Sequence, residues 1–334
     1  MIATLLLATA AMLPPLTQLN TGAPVLGSGS PAAPFTFVVA GDNRPDKGQG
    51  DLAPAFQKLV AKIASSSSPP AFILWDGDTI PGKDPAKVDK QYDEFLGVLT
   101  ANLKNTPVFN APGNHELALK TSDCTDAPDT SGQLLTKYVN DMGPAYGMFQ
   151  YGNSAFIAVN TDDALGSVQL PSGKCPYNGF VSATQLAALK ATLAQLSGQP
   201  SIKHVFIFMH RPVYDDNSHQ IGGDKSTPYG QEIEEFRNAM KALASPPVSF
   251  IFASHDHRLY VHPKDKKHPN GPFKNKAYTR FLITGGAGAP LAGCKDGGKG
   301  KAGAYFHWLS VTVNGDDVTV NVDPLTDMTL CGAP

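Results

Sequence analysis

Residues 250–259 read FIFASHDHRL: a run of apolar and small residues leads straight into two histidines separated by one aspartate. In a strand, successive side chains face opposite ways and those two apart share a face, so His255 and His257 leave a buried strand at its very end. Either they are surface histidines, or they are two ligands, each serving a different metal ion. The same grammar recurs upstream. Residues 204–212 read HVFIFMHRP, 107–116 PVFNAPGNHE, 72–79 FILWDGDT and 35–44 FTFVVAGDNR. Each is an apolar, β-branched or aromatic run that stops on a polar cluster.

The spacing predicts strands over 35–41, 71–76, 106–110, 155–160, 203–209 and 248–253. Helical periodicity predicts helices over 52–65, 86–103, 131–141, 182–197 and 230–243. In the stretch SATQLAALKATLAQL, Ser182 and Gln185 form a capping signature before Leu186, Leu189, Leu193 and Leu196. Near-continuous apolar strands alternating with helices indicate an α/β fold whose sheets are covered on both faces. After residue 277 the pattern turns to strands, with Asn314-Gly315 as a hairpin turn. Residues 1–34 read as leader and linker, and 35–334 as one domain.

In open α/β sheets, ligand sites lie beyond the carboxyl ends of the strands. Five strand ends here carry Asp42; Asp76 and Asp78; Asn114, His115 and Glu116; His210; and His255 and His257. Carboxylate and amide oxygens mixed with imidazole nitrogens suit Mn, Fe, Zn or Co and not an all-oxygen calcium cage. Three imidazoles and two carboxylates can hold two ions if one carboxylate bridges them, and such a pair clamps a phosphoryl group and acidifies a bridging water.

The order Asp42, Gly77-Asp78, Gly113-Asn114-His115-Glu116, His210 and His255-x-His257 resembles the calcineurin-like metallophosphoesterase superfamily, and MHRPVY, SHDHRL and ITGGAGAPL are similar to its purple-acid-phosphatase-like branch. The resemblance implies a four-layer α/β/β/α sandwich with two mixed sheets and two divalent or trivalent transition-metal ions (Fe, Mn or Zn). Asp78 would bridge them. Asp42 and His257 would hold the first, and Asn114, His210 and His255 the second. His115, with Asp78 the catalytic pair, would contact phosphate and protonate the leaving oxygen, and Asn114 would also meet the phosphate. Phosphomono- or diesters, of small molecules or macromolecules, would be cleaved by a metal-bound hydroxide. Two positions depart from the family pattern. Arg44 stands where Asp-x-His is common, and Pro81 where purple acid phosphatases carry tyrosine. An arginine does not ligate metal. It reads either as a phosphate donor or as a salt-bridge partner near the cleft, with Asn43 or water completing the first position. The alternative function is a phosphate- or partner-binding protein of this fold with an impaired first site.

Composition narrows the partners. The formal net charge is -2 and no long Lys/Arg run occurs, which leaves a nucleic-acid patch unsupported. The apolar run over 2–16 is shorter than the roughly 20 residues a membrane span needs. It resembles the core of a secretory signal without its basic start, with small residues at Ala8-Thr9-Ala10 and Pro31-Ala32-Ala33; a secreted or periplasmic location follows if it is one. In that setting Cys124 would pair with Cys175 and Cys294 with Cys331; otherwise all four are free thiols. Asp162 and Asp163 read as a capping turn or as site residues. Tyr214 reads as pocket lining or packing, His219, His262 and His268 as solvated, and His307 as packing. Asp256 reads as a partner behind the ligands or a solvated turn residue.

Overall fold

A computed structural model describes residues 11–20, 22–24, 26, 34–46, 50, 52–163, 177–214, 220–222, 228–242, 248–261, 280–294 and 300–328. The first half of the fold runs β1 (Phe35–Ala40), α1 (Pro54–Ala64), β2 (Ile73–Trp75), α2 (Val88–Asn102), β3 (Val108–Asn110), α3 (Asn114–Leu117), β4 (Ala118–Leu119), β5 (Ala127–Pro128) and α4 (Gln133–Met142). The second half runs β6 (Gly147–Tyr151), β7 (Ser154–Val159), α5 (Ala183–Ser197), β8 (His204–Met209), α6 (Pro228–Ala242), β9 (Val248–Ala253), β10 (Leu259–Val261), β11 (Arg280–Thr284), β12 (His307–Asn314) and β13 (Asp317–Pro324).

Two mixed sheets form, in the orders β13-β12-β1-β2-β3 and β10-β11-β9-β8-β7-β6. In the first, β1, β2 and β3 are parallel and β12 runs antiparallel to β1. In the second, β7, β8, β9 and β11 are parallel. Alternation along each strand sorts the core into three slabs. Val38, Ala40, Ile73 and Trp75 face α1, α2 and α4, with Phe56, Phe95 and Tyr138. Ile157, Val159, Ile207 and Met209 face α5 and α6, with Leu189, Leu193 and Phe236. Between the sheets lie Phe37, Phe72, Phe109, Phe156, Phe206, Phe208, Phe250 and Phe252. Helix, sheet, sheet and helix are therefore the four layers expected from the sequence. The middle slab is aromatic throughout: Phe37 meets the rings of Phe72, Phe156 and Phe206 at centroid distances of 5.3, 5.1 and 5.0 Å. Truncating so deep a phenylalanine costs about 3–5 kcal/mol.

Two local readings change. Ser182 caps α5 by accepting from Gln185 N, but the Gln185 side chain turns away and bonds Asn160 and Asp163. Asn314 pairs with Asp317, so the hairpin turn falls on Gly315-Asp316, with Gly315 at φ 60°.

The largest correction concerns the expected leader and linker. Residues 13–20 are part of the folded body. Leu13 and Leu16 are buried. Leu16 N donates to Met148 O and Met148 N to Pro14 O, along the edge strand β6. Leu19 N donates to Val108 O on β3, the edge of the other sheet, and the Asn20 side chain accepts from Val108 N and donates to Leu103 O and Thr106 O. The segment thus ties one sheet edge to the other and fills backbone positions that edge strands otherwise leave open. The expected disulfide pairs each have one member, Cys175 or Cys331, outside the described residues, as are His219, His262 and His268.

Candidate metal centre

The carboxyl ends of β1, β2 and β3 meet those of β8 and β9 at one edge of the sandwich. Crossing hydrogen bonds lock them together. His255 N donates to Asp42 Oδ2 at 2.6 Å, and His210 Nδ1 lies 2.9 Å from Asp76 O. The turns are tight. Among the described residues, the only non-glycines with positive φ are Asp42 (59°), Asp78 (51°), Lys83 (64°) and His255 (69°). Such positions cost of order 1–3 kcal/mol each and cluster where a geometry is over-determined by its surroundings. Two glycines make the approach possible. A Cβ on Gly113 would sit 2.4 Å from Asp78 Oδ1 and 2.9 Å from the His210 ring, and one on Gly285 would sit 2.5 Å from Asp42 Oδ2. The GGAG stretch is thus the floor beneath Asp42.

Two donor sets result, the first Asp42 with Asp78 and His257, the second Asp78 with His210 and His255, the ligand atoms of each lying within 4.8 Å of one another. They share Asp78. Around the second set, His210 Nε2 lies 3.2 Å from Asp78 Oδ1, 2.9 Å from Asn114 Oδ1 and 3.0 Å from His255 Nδ1. Around the first, His257 Nε2 lies 3.6 Å from Asp42 Oδ1. The far sides of the rings are held by backbone carbonyls: His210 Nδ1 by Asp76 O, His257 Nδ1 by Pro290 O at 2.6 Å, and His115 Nδ1 by Pro81 O at 2.5 Å. Each of these nitrogens therefore carries the proton, and each Nε2 presents a lone pair. His255 differs. Arg211 Nη1 lies 3.0 Å from its Nε2, and a guanidinium only donates, so the His255 proton rests on Nδ1 in this arrangement, and ligation through Nδ1 would require Arg211 to release Nε2, which then takes the proton.

Electrostatics fit this picture. Burial lowers the pKa of His210, of His257 to about 4 and of His115 to about 3, with the positive Arg44 adding to the shift of the last two. All three are neutral at pH 7. Burial pushes Asp42 well above the usual carboxylate range, and the neighbouring Asp78 pushes it further. At Asp78 burial acts upward but is outweighed by His210, His115 and Arg44, which hold it below that range. The donor set suits cations on its own terms. Asp42 Oδ1 is buried with no hydrogen-bond partner, and the Asn114 amide oxygen and an Asp78 carboxylate oxygen lie 2.9 and 3.2 Å from the His210 Nε2 lone pair, which His255 Nδ1 alone among these neighbours can donate to. Acceptors turned on acceptors need a positive charge between them.

The sequence-predicted residues Asp42, Asp78, Asn114, His210, His255 and His257 all come together at this edge. Arg44 and His115 lie over Asp78, at 3.6 Å (Nε to Oδ2) and 3.8 Å (Nε2 to Oδ2). Several expectations differ. Asn43, read as a candidate for the first position, is already engaged at both ends: its Oδ1 accepts from Trp75 Nε1 and its Nδ2 donates to Thr79 O. One N–H of the Asn114 amide donates to Asp126 Oδ1. Asp256 is fully buried and paired with Arg258, so it is no solvated turn residue. Asp162 chelates Arg211 Nε, Asp163 bonds Ser182 and Gln185, and Tyr214 packs edge-on against Phe281. His307 is buried in β12, as expected.

Sequence reasoning missed three supports. Glu116 is buried and accepts from the backbone N–H of Gly113, Asp78, Thr79 and Ile80, stapling the Asp78 loop to the Asn114 loop. Arg211 and the Lys83–Asp126 pair are the others. Only the GNHE motif hinted at the first.

The family model described as calcineurin-like phosphoesterase matches residues 35–259. Among solved structures, a purple acid phosphatase from yellow lupin (Lupinus luteus) seeds is similar at 16% identity and a TM-score of 0.59, over 90% of this chain and 53% of that one. The chain thus spans about half the length of the lupin protein. A dimetal phosphatase from Danio rerio is similar at 15% identity and a TM-score of 0.55, over 87% of this chain and 96% of that one. At these identities the likeness is one of fold. No curated protein matches the chain.

Proposed function

Because this chain belongs to the calcineurin-like phosphoesterase family, we propose that it hydrolyses phosphomono- or diesters at a pair of transition-metal ions held by Asp42, Asp78, Asn114, His210, His255 and His257. The observation that carries this reading is the meeting of two donor sets on one buried carboxylate, Asp78. When bound, two such ions supply Lewis acidity toward the phosphoryl oxygens and an acidified water.

The chain's own groups do the rest. Arg44, partly exposed above Asp78, is the bidentate donor that seats the phosphate. His115 keeps its Nδ1 proton on Pro81 O, so Nε2 is the atom that takes up a proton as a phosphate dianion enters and passes it to the leaving oxygen. Glu116 and Gly113 keep Asp78 and His115 in register. Export is the second part of the proposal. It is compatible with the buried Leu13 only if processing falls near Ala8-Thr9-Ala10, and the intact mass of the mature chain tests it. No helix among the described residues is long and apolar enough to cross a membrane.

The test is metal analysis of chelator-free protein alongside turnover of p-nitrophenyl phosphate and its bis ester. Two equivalents of metal with hydrolysis of either is the expected result. One equivalent or none, with neither ester cleaved, overturns it in favour of a phosphate-binding protein, the reading that Arg44 and the already bonded Asn43 side chain would then explain.

A further inference from the structure

An asparagine ligand carries an ambiguity that histidine and aspartate do not. Its amide is nearly symmetric in shape, yet one end accepts and the other only donates. If Nδ2 instead of Oδ1 turned toward His210, the second position would lose an oxygen donor and gain two N–H groups pointed at a cation. Something must fix the sense of Asn114.

In this fold that task falls on a residue outside every motif. Asp126 Oδ1 accepts from Asn114 Nδ2 at 2.8 Å, which leaves Asn114 Oδ1 at 2.9 Å from His210 Nε2. Asp126 Oδ1 also receives Lys83 Nζ at 2.6 Å. A carboxylate has no proton to give when ionised, so it can take only the NH2 end of the amide. The ammonium of Lys83 favours that ionised form. The lysine is itself brought in by an unusual path. Lys83 adopts φ 64°, and its N–H bonds His115 O in the neighbouring loop. Loop 81–83, loop 113–116 and the segment around Asp126 thus converge on one amide.

We propose that Asp126, supported by Lys83, is a positioning residue that sets the amide sense of Asn114 and thereby makes the second metal position. The proposal rests on the ligand set of the preceding section, and its test separates the two. Metal-free full-length protein is titrated with Mn(II), following binding heat and the spin-coupled signal of a dinuclear pair, for the wild type, D126A, D126N and K83Q. In D126A one of the two equivalents should weaken by about 10–100-fold, the range seen when a group behind a ligand is removed, and the coupled signal should fade while the other equivalent is unchanged. D126N keeps an oxygen able to accept from Asn114 Nδ2 and should recover part of the loss. K83Q should lose less than D126A. In an H257A background, which leaves the second position alone, D126A should weaken the single remaining binding step. Two equivalents bound by D126A as tightly as by the wild type would overturn the proposal while leaving the ligand set intact. Equal weakening of both equivalents with a lowered melting temperature, unrelieved in D126N, would also overturn it by making the role purely structural. A wild type that binds no metal would instead remove the ligand set itself.

Discussion

The two halves of the cradle are not built alike. The second is ringed by Asp78, Asn114, His210 and His255, and behind them stand Asp76 O and Asp126. The first has Asp42, Asp78 and His257, backed by His255 N and Pro290 O, and a guanidinium near Asp78 where the family commonly offers an imidazole. One half is rich in donors and in outer supports. The other is one donor short and shares its space with a fixed positive charge. On the proposed reading, Arg44 would trade affinity for cations against affinity for anions, repelling an ion in the first position and attracting the phosphate that ion would help to bind. The two positions should accordingly differ in affinity, with the first the weaker.

The heaviest blow to this contrast is D78N, since Asp78 serves both halves. Asparagine tolerates positive φ, so the backbone should hold. Turnover should fall by more than about 10³-fold, with several kcal/mol of charge stabilisation lost, and metal analysis should show both equivalents weakened; loss of only one would break the bridging assignment. Next comes H115A. Metal content should be unchanged and kcat should drop by about 10²-fold, the usual worth of a positioned proton donor. Metal loss in that variant would mean that His115 is itself a ligand. R44A sharpens the contrast most directly with a smaller effect. KM for an aryl phosphate should rise roughly 10-fold, as expected for one charge-assisted hydrogen bond, while the weaker metal equivalent binds more tightly. A tighter ion without a change in KM would leave Arg44 as a salt-bridge partner only. Chelation reads the same centre through folding instead of rate. Metal at 100 times its dissociation constant should add about 2.7 kcal/mol of stability over the metal-free protein, read as a rise in melting temperature.

Much of the fold and of the candidate site is legible in the sequence itself. Each strand of a sheet covered on both faces announces itself as an unbroken apolar run, and its end is marked by the first residue that can bind something. Hence Asp42, Asp78, Asn114, His210, His255 and His257 stand out. The short β6 and β10, half-buried with mixed composition, lack that contrast. Asp126 lies in TSDCTDAPDT, where nothing separates one acidic loop residue from another; only the folding of loop 81–83 onto 113–116 gives it a partner. Arg211 reads as no more than the residue after a candidate ligand, because its partner Asp162 arrives from the end of β7, 49 positions away in sequence. Asn43 illustrates the reverse error: an amide next to a candidate ligand invites recruitment, yet Trp75 and Thr79 occupy both of its ends. The segment 13–20 misleads because a greasy, proline-bearing start has the same composition whether it is discarded or inlaid.

That inlaid segment has a practical corollary. The family match begins at Phe35, which makes residue 35 the natural place to trim a clone. Such a clone would strip β3 and β6 of their cover at once and bare the phenylalanine slab beside Leu16. Two raw borders on one particle invite strand-to-strand stacking between molecules, so the shortened version should drop out as insoluble material, whereas one beginning near residue 11 should not.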